Sequence, residues 1–413
     1  MKASLAHLLL ASSLVAGGTA SAQPPSHKHP AMRPHQHQQH PPMPPGNGRP
    51  QFGDPLPGLT KDQLAAFLDG KDDFEQIETE DTGLGPIFNR DSCVACHSRP
   101  AVGGASDIFV TRFGRTTGGV FDPLASLGGS LLQERSIRPF GLESVPPEAN
   151  VVAHRQATPL FGLGMIEAIP DATILRGVRR QPVDGVLGRA STVMDVATGV
   201  QRVGRFGWKA QQATLLSFAG DAYLNEMGIT NRLFPKENAP NGDTLRLAEL
   251  DNVADPEDVT DPVTGKADID RVAAFMILLG PPPRLLQTPT TVMGNALFQQ
   301  ISCTNCHTPV MSTGTSRVEA LNLKPVFLFS DLLLHDMGSL GDGIGQGAAA
   351  PTEMKTAPLW GLRASAPYLH DGRARTIEEA IRLHEGEGKA SRDRFLKLAT
   401  NQKAQLIEFL LSI

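Results

Sequence analysis

The sequence predicts a mainly α-helical chain made of two similar halves in tandem, the first enlarged by loop insertions. Three observations predict this. Residues 88–98, FNRDSCVACHS, return as residues 298–308, FQQISCTNCHT, so each half carries one Cys-x-x-Cys-His. Residues 158–163, TPLFGL, return downstream of the second motif as residues 357–362, APLWGL. Each half also closes on an amphipathic stretch with apolar residues at helical spacing: DIDRVAAFMILL at 268–279 and QKAQLIEFLLSI at 402–413. A unit that recurs in this order is an internal repeat.

Cys-x-x-Cys-His is the attachment spacing of a c-type haem. The two thiols add to the vinyl groups, and the adjacent imidazole can take one axial position on the iron. Cys93, Cys96 and His97, with Cys303, Cys306 and His307, therefore predict two c-type cytochrome domains and two covalently bound haem c groups. All 4 cysteines of the 413 residues fall inside the motifs, which leaves none for a disulfide. A zinc site or a redox dithiol could also use paired cysteines, but either would leave the following histidine unexplained in two places.

In chain order, residues 1–22 carry Lys2, an apolar run from Leu8 to Ala16, and Ala20 and Ala22 of an A-x-A cleavage pattern, the form of a secretory signal peptide. Bacterial c-type haems are attached after translocation, so a periplasmic protein is expected. No later stretch approaches the roughly 20 apolar residues of a membrane helix, and no membrane span is expected. Residues 23–50 are rich in proline and contain His27, His29, His35, His37 and His40. Metal capture is one reading of that tract. A disordered spacer suits its composition better, because it has too little apolar surface to order itself.

Roughly 360 residues remain, enough for two domains with cores of their own. The N-terminal haem domain is expected over 51–284 and the C-terminal one over 285–413, with GPPPR at 280–284 as a stiff linker. TKDQLAAFLDGKDDF, from Thr60, has a capping residue and helical spacing and opens the first half. Gly85, Ile87 and Phe88 lead into Cys93 as Gly294, Leu297 and Phe298 lead into Cys303. Residues 103–155 and 176–261, rich in glycine and proline, are expected to be loops and short elements around the first haem. The balance of 38 basic and 43 acidic residues, with no basic run interleaved with aromatics, argues against a nucleic-acid partner.

The paired motifs and residues 355–388, KTAPLWGLRASAPYLHDGRARTIEEAIRLHEGEG, resemble the bacterial di-haem cytochrome c peroxidase superfamily. The likeness is greatest to the di-haem oxidoreductases formerly called thiol oxidoreductases. RFGWKA from Arg205, NEMGIT from Asn225 and SDLLLHDMG from Ser330 also look like that group. In the superfamily the second ligand of the C-terminal haem follows the histidine of P-Y-x-H-[DS]-G by 14 residues, which from His370 reaches His384. The resemblance thus implies a bis-histidine haem at His307 and His384. The plainer reading of His384 is a surface residue late in the helix 376–384, where its charge suits the helix dipole. His335, Met337 and Met354 are rivals for the same position, and for His335 a hydrogen-bonded place near a haem edge is preferred.

The resemblance also implies that the first haem keeps one face open to hydrogen peroxide. QATPLFGLGMIEAIP, 156–170, resembles the segment that carries the acid/base glutamate and a companion glutamine, so Glu167 and Gln156 are the catalytic candidates. His154 ranks below them. A carboxylate among Leu160, Phe161, Leu163, Met165 and Ile166 would be partly desolvated and its pKa raised. The alternative for Glu167 is a structural carboxylate capping backbone amides. Relatives carry a tryptophan in F-W-D-G-R between the haems, a segment this chain lacks. Trp208 or Trp360 could take the bridging role, with Trp208 preferred of the two, and either could be a core aromatic, the commoner role. Several relatives hold calcium between the domains, which would fall here on backbone carbonyls of Ser365 and Pro367.

The expected activity is therefore a periplasmic, peroxidase-type oxidoreductase. Peroxide or another small oxidant would react at the N-terminal haem, and electrons from a small cytochrome c or a cupredoxin would be relayed by the C-terminal haem. A di-haem oxidase or oxygenase acting on a protein or organic molecule, or a non-catalytic dihaem electron carrier, would use the same motifs.

Overall fold

The computed structural model describes residues 50–251 and 260–413. The expected signal peptide and nearly all of the histidine- and proline-rich tract lie outside the described residues. Helix Lys61–Glu75 starts as the sequence requires: the Thr60 hydroxyl accepts from the Gln63 N–H at 3.2 Å, and the Gln63 side-chain oxygen accepts from the Thr60 N–H at 3.0 Å. It packs along Asp268–Leu278, the closing helix of the first half. In the second half Pro289–Gln300 packs in the same way along Thr400–Ser412.

The repeat is a repeat of packing. A Cβ on Gly70 would stand 2.0 Å from the carbonyl oxygen of Arg271, and one on Gly294 would stand 2.1 Å from that of Gln405. Only glycine lets either helix pair approach so closely. Four residues further on, the Phe74 ring lies 4.9 Å from that of Phe275, and the Phe298 ring lies 5.6 Å from that of Phe409. The TPLFGL and APLWGL segments correspond as well. Gly162 and Gly361 both have φ 74°, and their N–H groups donate to the carbonyls of Leu279 and Ile413, at the ends of the closing helices, at 3.3 and 2.9 Å.

This packing corrects the match made by counting back from the cysteines. The partner of Gly294 is Gly70; Gly85 lies outside any helix, at φ 100°. The partner of Phe298 is Phe74, whereas Phe88 belongs to a short strand, Ile87–Phe88, paired with Arg135–Ser136. A longer connection separates the opening helix from the cysteines in the first half, and a fixed offset cannot see it.

The expectation of a mainly α chain is overturned. Helix accounts for 35% and strand for 16%, so the fold is mixed α/β with several small sheets. The largest sheet places Phe109–Thr117 between Val120–Asp122 and Val151–Gln156, all antiparallel. Its hairpin turns through Gly118 and Gly119, φ 57° and 82°, the two-residue turn that matches strand twist. The flanking strands are rich in β-branched and aromatic residues, of which Thr111 and Phe113 are buried. Thr192–Asp195 pairs with Val200–Val203, and Leu334–Asp336 with Glu353–Lys355. The strands between Phe109 and Gln156 and between Thr192 and Val203 supply some of the short elements expected within 103–155 and 176–261. Among the described residues no helix is long and apolar enough to cross a membrane.

Two apolar clusters organise the side chains. Phe67, Phe74, Phe275 and Ile166 belong to the larger, which also takes in Leu328, Leu332 and Leu333 from the second half. Phe298, Phe395, Leu406 and Phe409 belong to the smaller. Each cluster backs one of the Cys-x-x-Cys-His turns.

Candidate functional site

Both motifs form one turn of 3-10 helix, Cys93–Ala95 and Cys303–Asn305, and the histidine follows at once. His97 Nδ1 lies 3.0 Å from the Gly104 carbonyl and His307 Nδ1 lies 3.0 Å from the Phe329 carbonyl. A carbonyl can only accept, so each Nδ1 carries the proton and each Nε2 keeps its lone pair, the arrangement of a metal-ligating imidazole. The ring of Phe74 lies 6.0 Å from that of His97 and the ring of Phe298 lies 6.4 Å from that of His307. Burial pushes His97 down to about 4, against the Gly104 bond. Burial, then the neighbouring His384, push His307 down to about 4. Both imidazoles are thus neutral at ordinary pH, as metal binding needs.

The cysteines are free. Burial pushes the Cys93 and Cys303 thiols up to about 12 and Cys96 to about 11, and it raises Cys306 as well. A redox dithiol lowers its thiol pKa, so these sites are not built as one. Among the described residues no three His, Cys, Asp or Glu side chains are gathered to hold a metal ion.

A cavity of ≈ 290 Å³ runs from the second motif toward the first half. It brings together Cys303, Cys306, His307, His384, Gln156, Trp208 and Ser365, and its walls continue through Leu163, Ile166, Phe206 and Phe218. His384 sits two residues past helix Ile377–Arg382, shorter than the expected 376–384. Its Nδ1 donates to the Ala380 carbonyl at 2.8 Å, so here too Nε2 is the free nitrogen. Burial lowers its pKa. His307 and His384 thus offer two neutral donors to one mostly apolar space, and the residues fit a haem. Cys93, Cys96, His97, Glu167 and Pro367 do not line this cavity.

His335 is spoken for at both nitrogens. Nδ1 lies 2.6 Å from Glu387 and Nε2 lies 3.0 Å from Asp331, with the Cys306 sulfur 3.6 Å from Nδ1. Burial opposes its charge, but hydrogen bonds to Asp331, Cys306 and Glu387 outweigh burial and raise its pKa to about 12. An imidazolium with both N–H groups in use has no lone pair for iron. Met337 and Met354 line the cavity with His384.

Glu167 ends helix Leu163–Glu167, and its carboxylate accepts from the Leu215 N–H at 2.9 Å, the first residue of helix Leu215–Met227. That is a capping geometry. Burial raises its pKa. Gln156, at the end of its strand, donates through Nε2 to the carbonyls of Pro367 and Leu369 at 2.9 and 2.6 Å, and its Oε1 is buried without a donor. The Pro367 carbonyl where a calcium ion was expected therefore already accepts from Gln156. The Ser365 hydroxyl donates to Gly361 at 3.0 Å. His154 lies opposite Thr111 in the sheet. The Trp208 indole donates to the Gln156 carbonyl at 2.9 Å, and its ring stands 6.2 Å from that of His370 at 74°. Trp360 lines the same cavity beside Gly162.

Sequence reasoning missed the charged lattice that fixes Trp208. Next to it Lys209, fully buried, lies 2.9 Å from Asp342, which also pairs with Arg155 at 2.6 Å. Lys209 further donates to the carbonyls of Ala350, Pro351 and Glu353. The Trp208 carbonyl accepts from the Lys355 N–H at 2.9 Å. One strand of the first half, the Trp208 loop and the 342–355 segment are thereby held as a unit.

Among solved structures the chain is similar to hydrazine synthase of Kuenenia stuttgartiensis, 13% identical over 96% of this chain and 100% of that one, TM-score 0.42. It is similar to the diheme peroxidase BthA of Burkholderia thailandensis, 14% identical over 88% and 90%, TM-score 0.36. A MauG-like protein associated with microbial copper homeostasis is 17% identical over 61% and 88%, TM-score 0.32. No curated protein matches the chain. The family model described as "Di-haem oxidoreductase, putative peroxidase" matches residues 146–413, which include Gln156, Glu167, Trp208, the second motif and His384. The chain belongs to the di-haem oxidoreductase family.

Proposed function

We propose that this oxidoreductase is of peroxidase type: it reduces hydrogen peroxide on the His97 side, with electrons entering by way of the His307 and His384 side. One observation carries the reading. His307 shares its cavity with a second imidazole whose Nε2 is free, whereas His97 lies outside that cavity, with its Nδ1 on the Gly104 carbonyl and the Phe74 ring beside it. Two strong ligands make an electron carrier, and one leaves a face for an oxidant.

Cys93 and Cys96 would hold one haem covalently and Cys303 and Cys306 the other. Bound haem supplies a redox-active iron able to take and give single electrons. Reduction of one hydrogen peroxide to two waters consumes two electrons and two protons. Glu167, whose burial raises its pKa, would move a proton on the first side. Gln156 Oε1, a buried acceptor without a donor among the described residues, lies in the cavity of His307 and His384. Trp208, wedged between Gln156 and His370, would carry electrons between the sides. A small cytochrome c or a cupredoxin in the periplasm would be the donor, and calcium is expected to bind only if the Gln156 amide turns away from Pro367.

The test is electron paramagnetic resonance of the purified full chain, followed by turnover with hydrogen peroxide and a reduced small cytochrome c. One low-spin ferric signal of the bis-imidazole kind, one high-spin signal and peroxide-dependent oxidation of the cytochrome are expected. Two low-spin signals untouched by cyanide would make the protein an electron carrier. Faster turnover with an organic donor than with the cytochrome would make it an oxidase.

A further inference from the structure

Three cationic side chains other than histidine line the cavity: Arg205, Lys355 and Arg392. Two of them are saturated. Arg205 donates to the carbonyls of Val203, Ile166, Glu167 and Ile169 and pairs with Asp171. Arg392 pairs with Glu385 and Asp393. Lys355 differs. It is only 9% exposed, and among the described residues its Nζ makes one hydrogen bond, a long one of 3.4 Å to the Thr356 carbonyl.

The acid that acts on Lys355 is Asp331, and that carboxylate is engaged elsewhere. Its Oδ1 accepts from the Leu333 N–H at 3.0 Å and its Oδ2 faces His335 Nε2 at 3.0 Å. On the same wall Thr356, 8% exposed, has a buried hydroxyl with no partner among the described residues. An ammonium withdrawn from water without a counter-anion costs several kcal/mol. Burial accordingly lowers Lys355 to about 8. An ammonium and a hydroxyl, adjacent in the chain and both short of acceptors, are the donor set for a carboxylate. Gln156 Oε1, an acceptor, cannot serve that role.

We propose that Lys355 and Thr356 form a carboxylate subsite, and that its occupant is a propionate of the haem held between His307 and His384. The inference rests on reading the cavity as a haem site. The cation would neutralise a carboxylate that the apolar walls cannot solvate, and it would favour the reduced iron by partly offsetting the added electron.

The test uses the full chain, its haem content fixed by pyridine haemochrome absorbance, with redox titrations of wild type, Lys355→Met, Lys355→Arg and Thr356→Val. Lys355→Met should lower the reduction equilibrium constant of the His307 haem about tenfold, which is about 59 mV for a one-electron couple. The other haem should stay put, and Lys355→Arg should restore most of the loss. Should Lys355→Met fail to yield loaded protein, Thr356→Val decides, with a fall of about threefold expected from the lost hydrogen bond. Unchanged constants in every loaded variant overturn the proposal and leave the haem reading intact. Wild type without haem overturns that reading instead. Sodium benzoate that perturbs the wild-type spectrum and not that of Lys355→Met would show a free carboxylate in the subsite and overturn the propionate assignment.

Discussion

Gly294 lies so near Gln405 that a Cβ on the glycine would stand 2.1 Å from the carbonyl oxygen. The crossing sets where Phe298 points, and Phe298 backs His307 with ring centroids 6.4 Å apart. Gly294→Ala must therefore move one helix off the other. A loss of about 1–3 kcal/mol is expected in urea unfolding, with a change in the spectrum of the His307 haem alone. Gly70→Ala should do the same to the His97 haem, through Phe74. An unmoved unfolding midpoint in both variants would mean that the helices give way without cost.

His384 donates Nδ1–H to Ala380 and turns Nε2 toward the cavity that holds His307. His384→Ala should convert the C-terminal haem from low-spin to high-spin ferric, visible in the Soret band, and added imidazole should restore it. An unaltered spectrum would hand the position to Met337 or Met354. His335 is not a candidate, since Asp331 and Glu387 hold both its nitrogens.

Much of the site could be read from spacing, and much of the fold could not. The cysteines, His97 and His307 are fixed by covalent chemistry that tolerates one spacing, and the cap at Thr60 is a local event among four residues. The sheet from Phe109 to Gln156 carried its own signal, a Gly-Gly turn between stretches rich in β-branched and aromatic residues. The strength of the helical repeat hid it. Gly70 and Phe74 were missed because the connection to Cys93 differs in length between the halves, so counting back from the cysteine chose Gly85 and Phe88. Lys355 had no local signal at all. Its meaning comes from Asp331 and His335, which approach Lys355 and Thr356 only in three dimensions.

Glu167 accepts from the Leu215 N–H, and a glutamine oxygen can accept that bond equally well. Glu167→Gln should therefore leave stability within about 0.5 kcal/mol. If the carboxyl is the proton carrier, the same change should slow the reaction with peroxide by roughly two to four orders of magnitude in stopped flow. Glu167→Ala loses the cap too and should cost about 1 kcal/mol in unfolding. Normal peroxide reactivity in Glu167→Gln would reduce the residue to its capping role.

The His335 imidazolium, gripped by Asp331 and Glu387, ties residues 331–336 to 387 beneath Cys306. Its folded pKa of about 12 lies above the ordinary value of 6.5, despite burial, because of the bonds to Asp331, Cys306 and Glu387. A group whose pKa rises on folding stabilises fully below its unfolded pKa and loses that contribution as pH climbs toward the folded one. The unfolding free energy of wild type minus that of His335→Gln should thus be greatest below about pH 6.5. It should then shrink toward pH 9 by at most about 1.4 kcal/mol per pH unit. A difference that stays flat from pH 6 to 9 would mean that the buried ring is neutral. Two carboxylates would then face one another across an uncharged imidazole, and the grip beneath Cys306 would need another cation.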